Sequence, residues 1–268
     1  MTRSSTVKSA ERLLDVLNLL SRLDRPVTAM FISSELGIPR SSAYHLLNVM
    51  KDRNFVSYRA DDGTWELGVG SLEIGLAYLR SGSLQRAARV VLPEIAALSG
   101  QTAHLAILQG TEVLYIDKET PPGLGVQLVT SIGTRLPAHL TAVGRAILAC
   151  LPEQQLRALY GDDRLPPVTD SSTPPLDRLL LDLADAAERG YASDDGMITE
   201  GISCLAVPVV APDRAPAAAL GVTFLTAQVD GPEKARLAKL LQRGAEDLAR
   251  AAAIPDPSSE SVEDGVLV

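Results

Sequence analysis

Two short apolar runs hinged on Gly37 constrain this chain more than any other feature. Met30–Lys51 reads MFISSELGIPRSSAYHLLNVMK. Thr28 is the kind of residue that caps a helix N-terminus, and a first helix is expected to about Leu36. Gly37 stands where a helix ends on a left-handed residue, and Pro39 opens a second helix. Phe31, Ile32, Leu36 and Ile38 surround the turn, and Leu46, Leu47 and Met50 continue the apolar stripe at helical spacing. Arg40, Ser41, Ser42, Tyr44 and His45 leave the first turns of the second helix polar and outward. A helix-turn-helix with this arrangement can lay its second helix in a DNA major groove. An ordinary helical hairpin with a solvated face has the same local pattern, so the flanking sequence must decide.

Beyond Lys51 the pattern changes to that of strands. Phe55–Arg59 alternates, Asp61-Asp62-Gly63 makes a tight turn, and Thr64–Leu67 alternates back. With a capped helix from Ser9 to about Leu23, this makes three helices and a hairpin: a winged helix-turn-helix. Trp65 is read as packing within the wing. Lys51 and Arg59 are candidate backbone contacts, Arg59 equally an edge charge in solvent; Arg3 and Lys8 are minor ones. The net charge of −8 disfavours nucleic acid at first sight, but it is unevenly spread. Residues 1–80 hold 10 Lys/Arg against 9 Asp/Glu, residues 81–268 hold 15 against 24, and the segment 40–59 has Arg40, Lys51, Arg53 and Arg59 against Asp52 alone. A local basic face on an acidic protein suits specific DNA binding and opposes non-specific retention.

The remaining chain predicts a second domain. An apolar helix over Val69–Leu79 breaks at Ser81-Gly82-Ser83, and another runs from Leu84 to about Leu98 with a bend at Pro93. Strands are expected at Ala103–Leu108, Val113–Lys118, Val126–Thr130, Cys204–Val210 and Ala217–Thr226, the last two central. Helices are expected at Ala142–Cys150, capped by Thr141, and at Glu153–Tyr160, Leu176–Arg189 and from Gly231 to about Ala252. Residues 132–139 and the stretch from Tyr191 to Gly201 read as loops, 161–175 as a polar Pro-rich crossing, and the tail from Pro255 as disordered. Cys150 and Cys204 form neither a disulfide framework nor a metal spacing, and no apolar run is long enough for a membrane span. The expected compartment is a reducing cytoplasm.

The order of these motifs resembles the IclR (isocitrate-lyase-regulator) family of bacterial transcription factors over about residues 8–250. The resemblance is carried by Ser9–Leu14, Glu35–Ser42 and Trp65–Gly68, and more specifically by Gly133–His139 with Ala142–Ala146 and by Gly190–Gly196 leading to Gly201–Ala206. It implies an α+β chain: a winged helix-turn-helix (1–68), a linker helix (69–82) and a GAF-like effector-binding domain with a central antiparallel sheet (83–253), then a disordered tail (254–268). It implies homodimers, often paired into tetramers, on a (pseudo)palindromic double-stranded operator, and a small-molecule effector. By motif, the effector pocket is lined by Ala142, Val143, Asp194, Cys204, Gly221 and Thr223. Two departures stand out. His45 replaces a usual arginine, and Gly221 and Thr223 stand where some members carry effector-binding serines, so Gly221 is expected to remove a hydroxyl donor and open space for a bulkier or less polar ligand. Free amides at Ala142 and Val143 would favour an anionic group, which makes a small carboxylic acid the natural effector.

The function expected is therefore a ligand-responsive DNA-binding regulator, a repressor in the first instance, with an activator of the same architecture as the alternative. Arg135 and His139 are read as structural. A hydrolase or thiol catalyst built on Cys204 and His139 is a remote alternative, since the chain has no phosphate loop, nucleophile elbow or metal cluster. A protein-binding adaptor is a third. No cofactor and no membrane partner are implied.

Overall fold

The computed structural model describes residues 7–123, 130–161, 165, 176–210 and 218–253. The chain divides into two compact units, Met1–Arg80 and Ser81–Val268.

In the first unit, α1 (Lys8–Ser21), α2 (Ala29–Glu35) and α3 (Arg40–Asp52) enclose a small core with a hairpin of β2 (Val56–Arg59) and β3 (Thr64–Leu67). Val16, Ile32, Ala43, Leu47 and Met50 are buried at its centre. Thr28 caps α2 by accepting the Phe31 amide at 3.2 Å, and Gly37 is left-handed at φ 61°, both as the sequence predicts. Ser9 does not cap α1: Val7 stands at that position with no side-chain cap. Pro39 sits at the N-cap of α3, one position earlier than expected. Val27–Thr28 adds a short strand, β1, that pairs with β3, so the wing sheet runs β1-β3-β2. A two-residue strand carries no periodicity by which to foresee it. Helix α4 (Val69–Ser81) comes next, with Val69, Leu72, Ile74, Leu76 and Tyr78 exposed. Its start is pinned to the wing. The Gly68 amide donates to Phe55 O at 2.8 Å, and a Cβ on Gly68 would collide with the Asn54 carbonyl. That close approach is a physical reason for glycine in the Trp65–Gly68 motif.

In the second unit, an antiparallel sheet of six strands among the described residues runs β6-β5-β4-β9-β8-β7. Its strands are β4 (Thr102–Gln109), β5 (Glu112–Glu119), β6 (Arg135–Pro137), β7 (Ala192–Asp195), β8 (Ile202–Val209) and β9 (Ala218–Leu225). One face packs on α5 (Ser83–Ser99) and α9 (Gly231–Ala253) through Leu105, Leu205, Leu220, Val222, Leu92 and Leu241. The other packs on α6 (Ala142–Leu148), α7 (Glu153–Tyr160) and α8 (Leu176–Arg189) through Ala106, Ala206, Ala219, Ile147 and Leu179. Ala106, Ala206 and Ala219 leave room on the second face beside Val113 and Tyr115. Helix α5 runs through Pro93, and α6 stops two residues before Cys150.

Two expected loops are strands in part. Arg135–Pro137 pairs with β5, and Ala192–Asp195 pairs with β8. Both are short edge strands whose side chains are mixed, so no alternation announces them. The strand expected at Val126–Thr130 lies, except for Thr130, outside the described residues, as do most of the crossing 161–175, the tail and Arg3.

Candidate DNA interface and effector pocket

Helix α3 separates its residues cleanly. Ala43, Leu47 and Met50 are buried, while Arg40, Ser41, Tyr44, His45 and Lys51 are exposed and Ser42 is half-buried. The predicted recognition face is thus presented intact. No side chain caps the α3 N-terminus, so its first amides remain donors for phosphate. Among the described residues Arg40 hydrogen-bonds to the Met30 sulfur, at 3.4 Å, a weak acceptor that phosphate or guanine would displace. On the wing, Trp65 is buried with its ring 4.8 Å from that of Tyr58, as packing requires. Arg59 is half exposed and engaged within its own hairpin, 3.6 Å from Asp62 and 4.0 Å from Glu66.

The second site is a pocket on the face of the large sheet that packs on α6, open to solvent, with a cavity volume of about 40 Å³. Asp194, Cys204 and Thr223 line it, as the resemblance implies. They sit side by side because the strand register pairs Asp194 with Cys204 and Cys204 with Thr223 across β7, β8 and β9. Ala142, Val143 and Gly221 are not among its lining residues. Ala142 acts from behind: its amide donates to Asp194 Oδ2 at 2.8 Å, while Thr141 Oγ1 accepts the Gly144 amide at 3.2 Å. The helix start expected to hold an anionic ligand is thus capped by the protein's own carboxylate. Nor does Gly221 open the pocket. A Cβ there would lie 2.8 Å from His104 Nε2 and 3.1 Å from Val143 Cγ1, so the space is filled by an imidazole.

His104 is the residue that sequence reasoning missed. It is fully buried on β4, with Nδ1 3.4 Å from Thr223 Oγ1, which is 3.0 Å from Cys204 Sγ. Burial, aided by the Lys118 charge, pushes its pKa down to about 4, so the ring is neutral at pH 7. Its Nε2 has no partner, and a proton on Nδ1 would let the ring donate to Thr223 or to the Thr102 backbone. Thr223 is then left to donate toward Cys204 or a ligand. A polar row thus crosses four strands from Asp194 to His104. Burial raises Asp194 to about 7, the Ala142 amide and Arg145 opposing. Burial also pushes the Cys204 thiol well above its usual range. A thiol that holds its proton is the reverse of what a nucleophile needs, which removes the support for catalysis by Cys204. The rest of the lining includes Tyr115, Leu136, Ile198 and Ile202, with the hydroxyls of Thr130, Thr141 and Thr199. Thr130 Oγ1 is buried without a partner, a hydrogen-bonding position open to a ligand.

The remaining motif residues are structural. Arg145 donates to His139 O at 3.0 Å, Ser193 O at 3.4 Å and Asp182 Oδ2 at 2.9 Å, tying α6 to β7 and α8. Arg135 pairs with Glu112 at 3.6 Å on the sheet edge, and buried His139 packs edge-on against Tyr160. No group of His, Cys, Asp or Glu suited to a metal occurs among the described residues, and no described helix is long and apolar enough to cross a membrane.

Residues 9–60 match the model of the IclR helix-turn-helix domain, and residues 76–250 match that of the bacterial transcriptional regulator IclR C-terminal domain. The chain is 32% identical over 249 residues to the transcriptional regulator XynR of Escherichia coli, covering 93% of this chain and 98% of that one. It is 26% identical over 256 residues to the transcriptional repressor AllR of Salmonella paratyphi A, covering 96% and 94%. The fold is also that of an IclR homologue from Microbacterium hydrocarbonoxydans solved with 4-hydroxybenzoate, with a TM-score of 0.77 at 22% identity over 91% of this chain and 98% of the other.

Proposed function

Because this chain belongs to the IclR family of bacterial transcriptional regulators, we propose that it is a repressor whose operator grip is released by a small organic acid. The family makes it a DNA-binding regulator with an effector-binding domain. The observation that carries the DNA half is the α3 face, where Arg40, Ser41, Tyr44 and His45 stand exposed on a buried Ala43–Leu47–Met50 stripe. The repressive sense is supported by the similarity to AllR, a repressor by name. The acid is supported by the 4-hydroxybenzoate held by the Microbacterium homologue, and the pocket between Asp194 and Thr223 supplies the space for a small ligand. We take 1–68 as the reading domain, 69–82 as the linker helix and 83–253 as the sensing domain of a cytoplasmic homodimer, alone or paired, on two matched half-sites. Release requires an effector that binds one of two conformations more tightly.

The test is binding to the DNA upstream of the protein's own gene at fixed salt, wild type beside Arg40→Ala. Sequence-dependent binding lost in the variant is expected. If a genome-wide selection of bound fragments also yields nothing above random DNA, the reading fails.

A further inference from the structure

The described lining of the pocket offers an acid no cation. Among its described lining residues there is no Lys, Arg or His, and the single carboxylate is Asp194, which is 4% exposed. The charged groups around it are committed elsewhere. Arg145 on α6 is engaged by Asp182, Ser193 O and His139 O. Lys234 on α9 pairs with Asp195 at 3.1 Å, and Lys118 on β5 donates to Thr130 O at 2.6 Å. His104 on β4 is neutral behind Thr223, and Tyr115 on β5 and Cys204 on β8 hold their protons. An effector carboxylate would therefore meet a buried carboxylate of like charge, with the Ala142 amide and the Arg145 charge already engaged on Asp194. Two carboxylates at such a site are stable when they share one proton.

We propose that Asp194 makes this pocket take a carboxylate effector together with one proton, so that acid sensing is coupled to pH. The proton comes from water and goes to Asp194, whose other oxygen keeps the Ala142 amide at 2.8 Å. The new O–H donates to the ligand carboxylate. Thr223, polarised by His104 from behind, and Thr130, whose buried hydroxyl is unpartnered, supply further bonds. Asp194 is half-protonated near pH 7 before any ligand arrives, so the uptake demands little at neutral pH and more with each unit above it. This rests on the organic-acid reading above and specifies the protonation state in which the acid is bound.

The experiment is calorimetric titration of the full chain with matched pairs of probes: 4-hydroxybenzoate and 4-hydroxybenzamide, glycolate and glycolamide, pyruvate and pyruvamide. It is run at pH 6 to 9 in two buffers of different ionisation enthalpy, on wild type and Asp194→Asn. Asn can still accept the Ala142 amide, so the helix cap survives. Expected for wild type is uptake of about one proton per acid bound at pH 8 and an affinity falling about tenfold per unit above pH 7. Asp194→Asn should bind the same acid with no uptake and a flat pH profile. If the variant does not fold, the buffer-dependent heat of wild type decides alone. Acids bound by wild type without proton uptake overturn the coupling and leave the organic-acid reading intact. Amides bound in place of acids, or no probe bound by either protein, overturn the organic-acid reading and the coupling with it. Carbon-13 titration of the Asp194 carboxyl, assigned by its loss in Asp194→Asn, gives a check without ligand: a midpoint in the ordinary carboxylate range overturns the proposal.

Discussion

The α3 face we propose reads DNA and the pocket we propose senses an effector are built in opposite ways. On α3 the working groups stand in water, and Arg40 has a weak sulfur contact. In the pocket the working groups are buried and bonded to one another across strands, and the ionisation of Asp194, Cys204 and His104 is displaced from the ordinary range. A phosphate backbone supplies strong charge of its own, so a solvated helix face suffices to meet it. A small ligand brings few contacts, so its pocket must hold donors and acceptors in place beforehand. The α3 face should therefore tolerate substitution structurally and lose only affinity, while changes around the pocket should disturb folding and ionisation as well.

The largest effect is expected where the pocket depends on backbone contact. Gly144 lies so close to Ala138 that a Cβ would collide with its carbonyl oxygen and Cα, and backbone cannot yield as a side-chain tip does. Gly144→Ala should destabilise the sheet domain by about 4 kcal/mol, near the top of the range for single substitutions. Urea unfolding should show this in the sheet-domain transition, with the winged-helix transition unmoved.

The next largest effect is on ionisation, and two buried groups act with opposite sign. Asp194, raised to about 7, binds protons in the folded state that the unfolded chain releases near pH 4, so its contribution is lost as pH rises through 7. His104, lowered to about 4, makes the unfolded chain bind protons first, so its contribution is present above about pH 6.5 and lost as pH falls toward 4. Between pH 4 and 6.5 the two largely cancel. Asp194→Asn should break the balance. At pH 8 the variant should be more stable than wild type by on the order of 2–3 kcal/mol, and its melting temperature should drop on acidification where that of wild type stays level. Equal pH profiles would show that the Asp194 carboxyl titrates normally.

The same contrast explains what could be read in advance. The helix-turn-helix is local: cap, turn glycine and stripe lie within about 25 residues and obey one period. The pocket is not local. Asp194, Cys204, Thr223 and His104 meet through strand register over sequence separations of up to 119 residues, which one sequence does not disclose. Family resemblance supplied Asp194, Cys204 and Thr223, yet it misjudged Gly221, because the group that fills its space, His104, belongs to a different strand. It also left the Ala142 amide free, since the partner that takes it is 52 residues away. The one available signal for His104 was a histidine in an otherwise apolar strand opposite a glycine in another.

Within the reading domain the charges differ in the kind of contact each can make. With α3 in the major groove as proposed, Arg40 at its start would face base edges, so Arg40→Ala should cost about 2 kcal/mol of operator affinity and relax discrimination at the contacted base pair. Lys51, in the last turn, should act on phosphate alone, and Lys51→Ala should weaken operator and random DNA alike. Competition binding against operator variants separates the two outcomes, and neither protein should lose thermal stability.

The smallest effect falls on the wing, and its sign is informative. Arg59 already has Asp62 at 3.6 Å and Glu66 at 4.0 Å, both partners about as exposed as itself, and such pairs contribute little to stability. They do compete with a phosphate for the same guanidinium. If the wing tip meets DNA, Arg59→Ala should weaken binding less than tenfold and reduce the salt dependence by about one phosphate contact. Glu66→Gln should do the opposite, tightening binding by removing a negative charge beside that phosphate and loosening the hold on Arg59. Salt titrations of operator binding for the two variants decide between a wing that touches backbone and one whose charges only satisfy each other: in the second case both slopes match wild type.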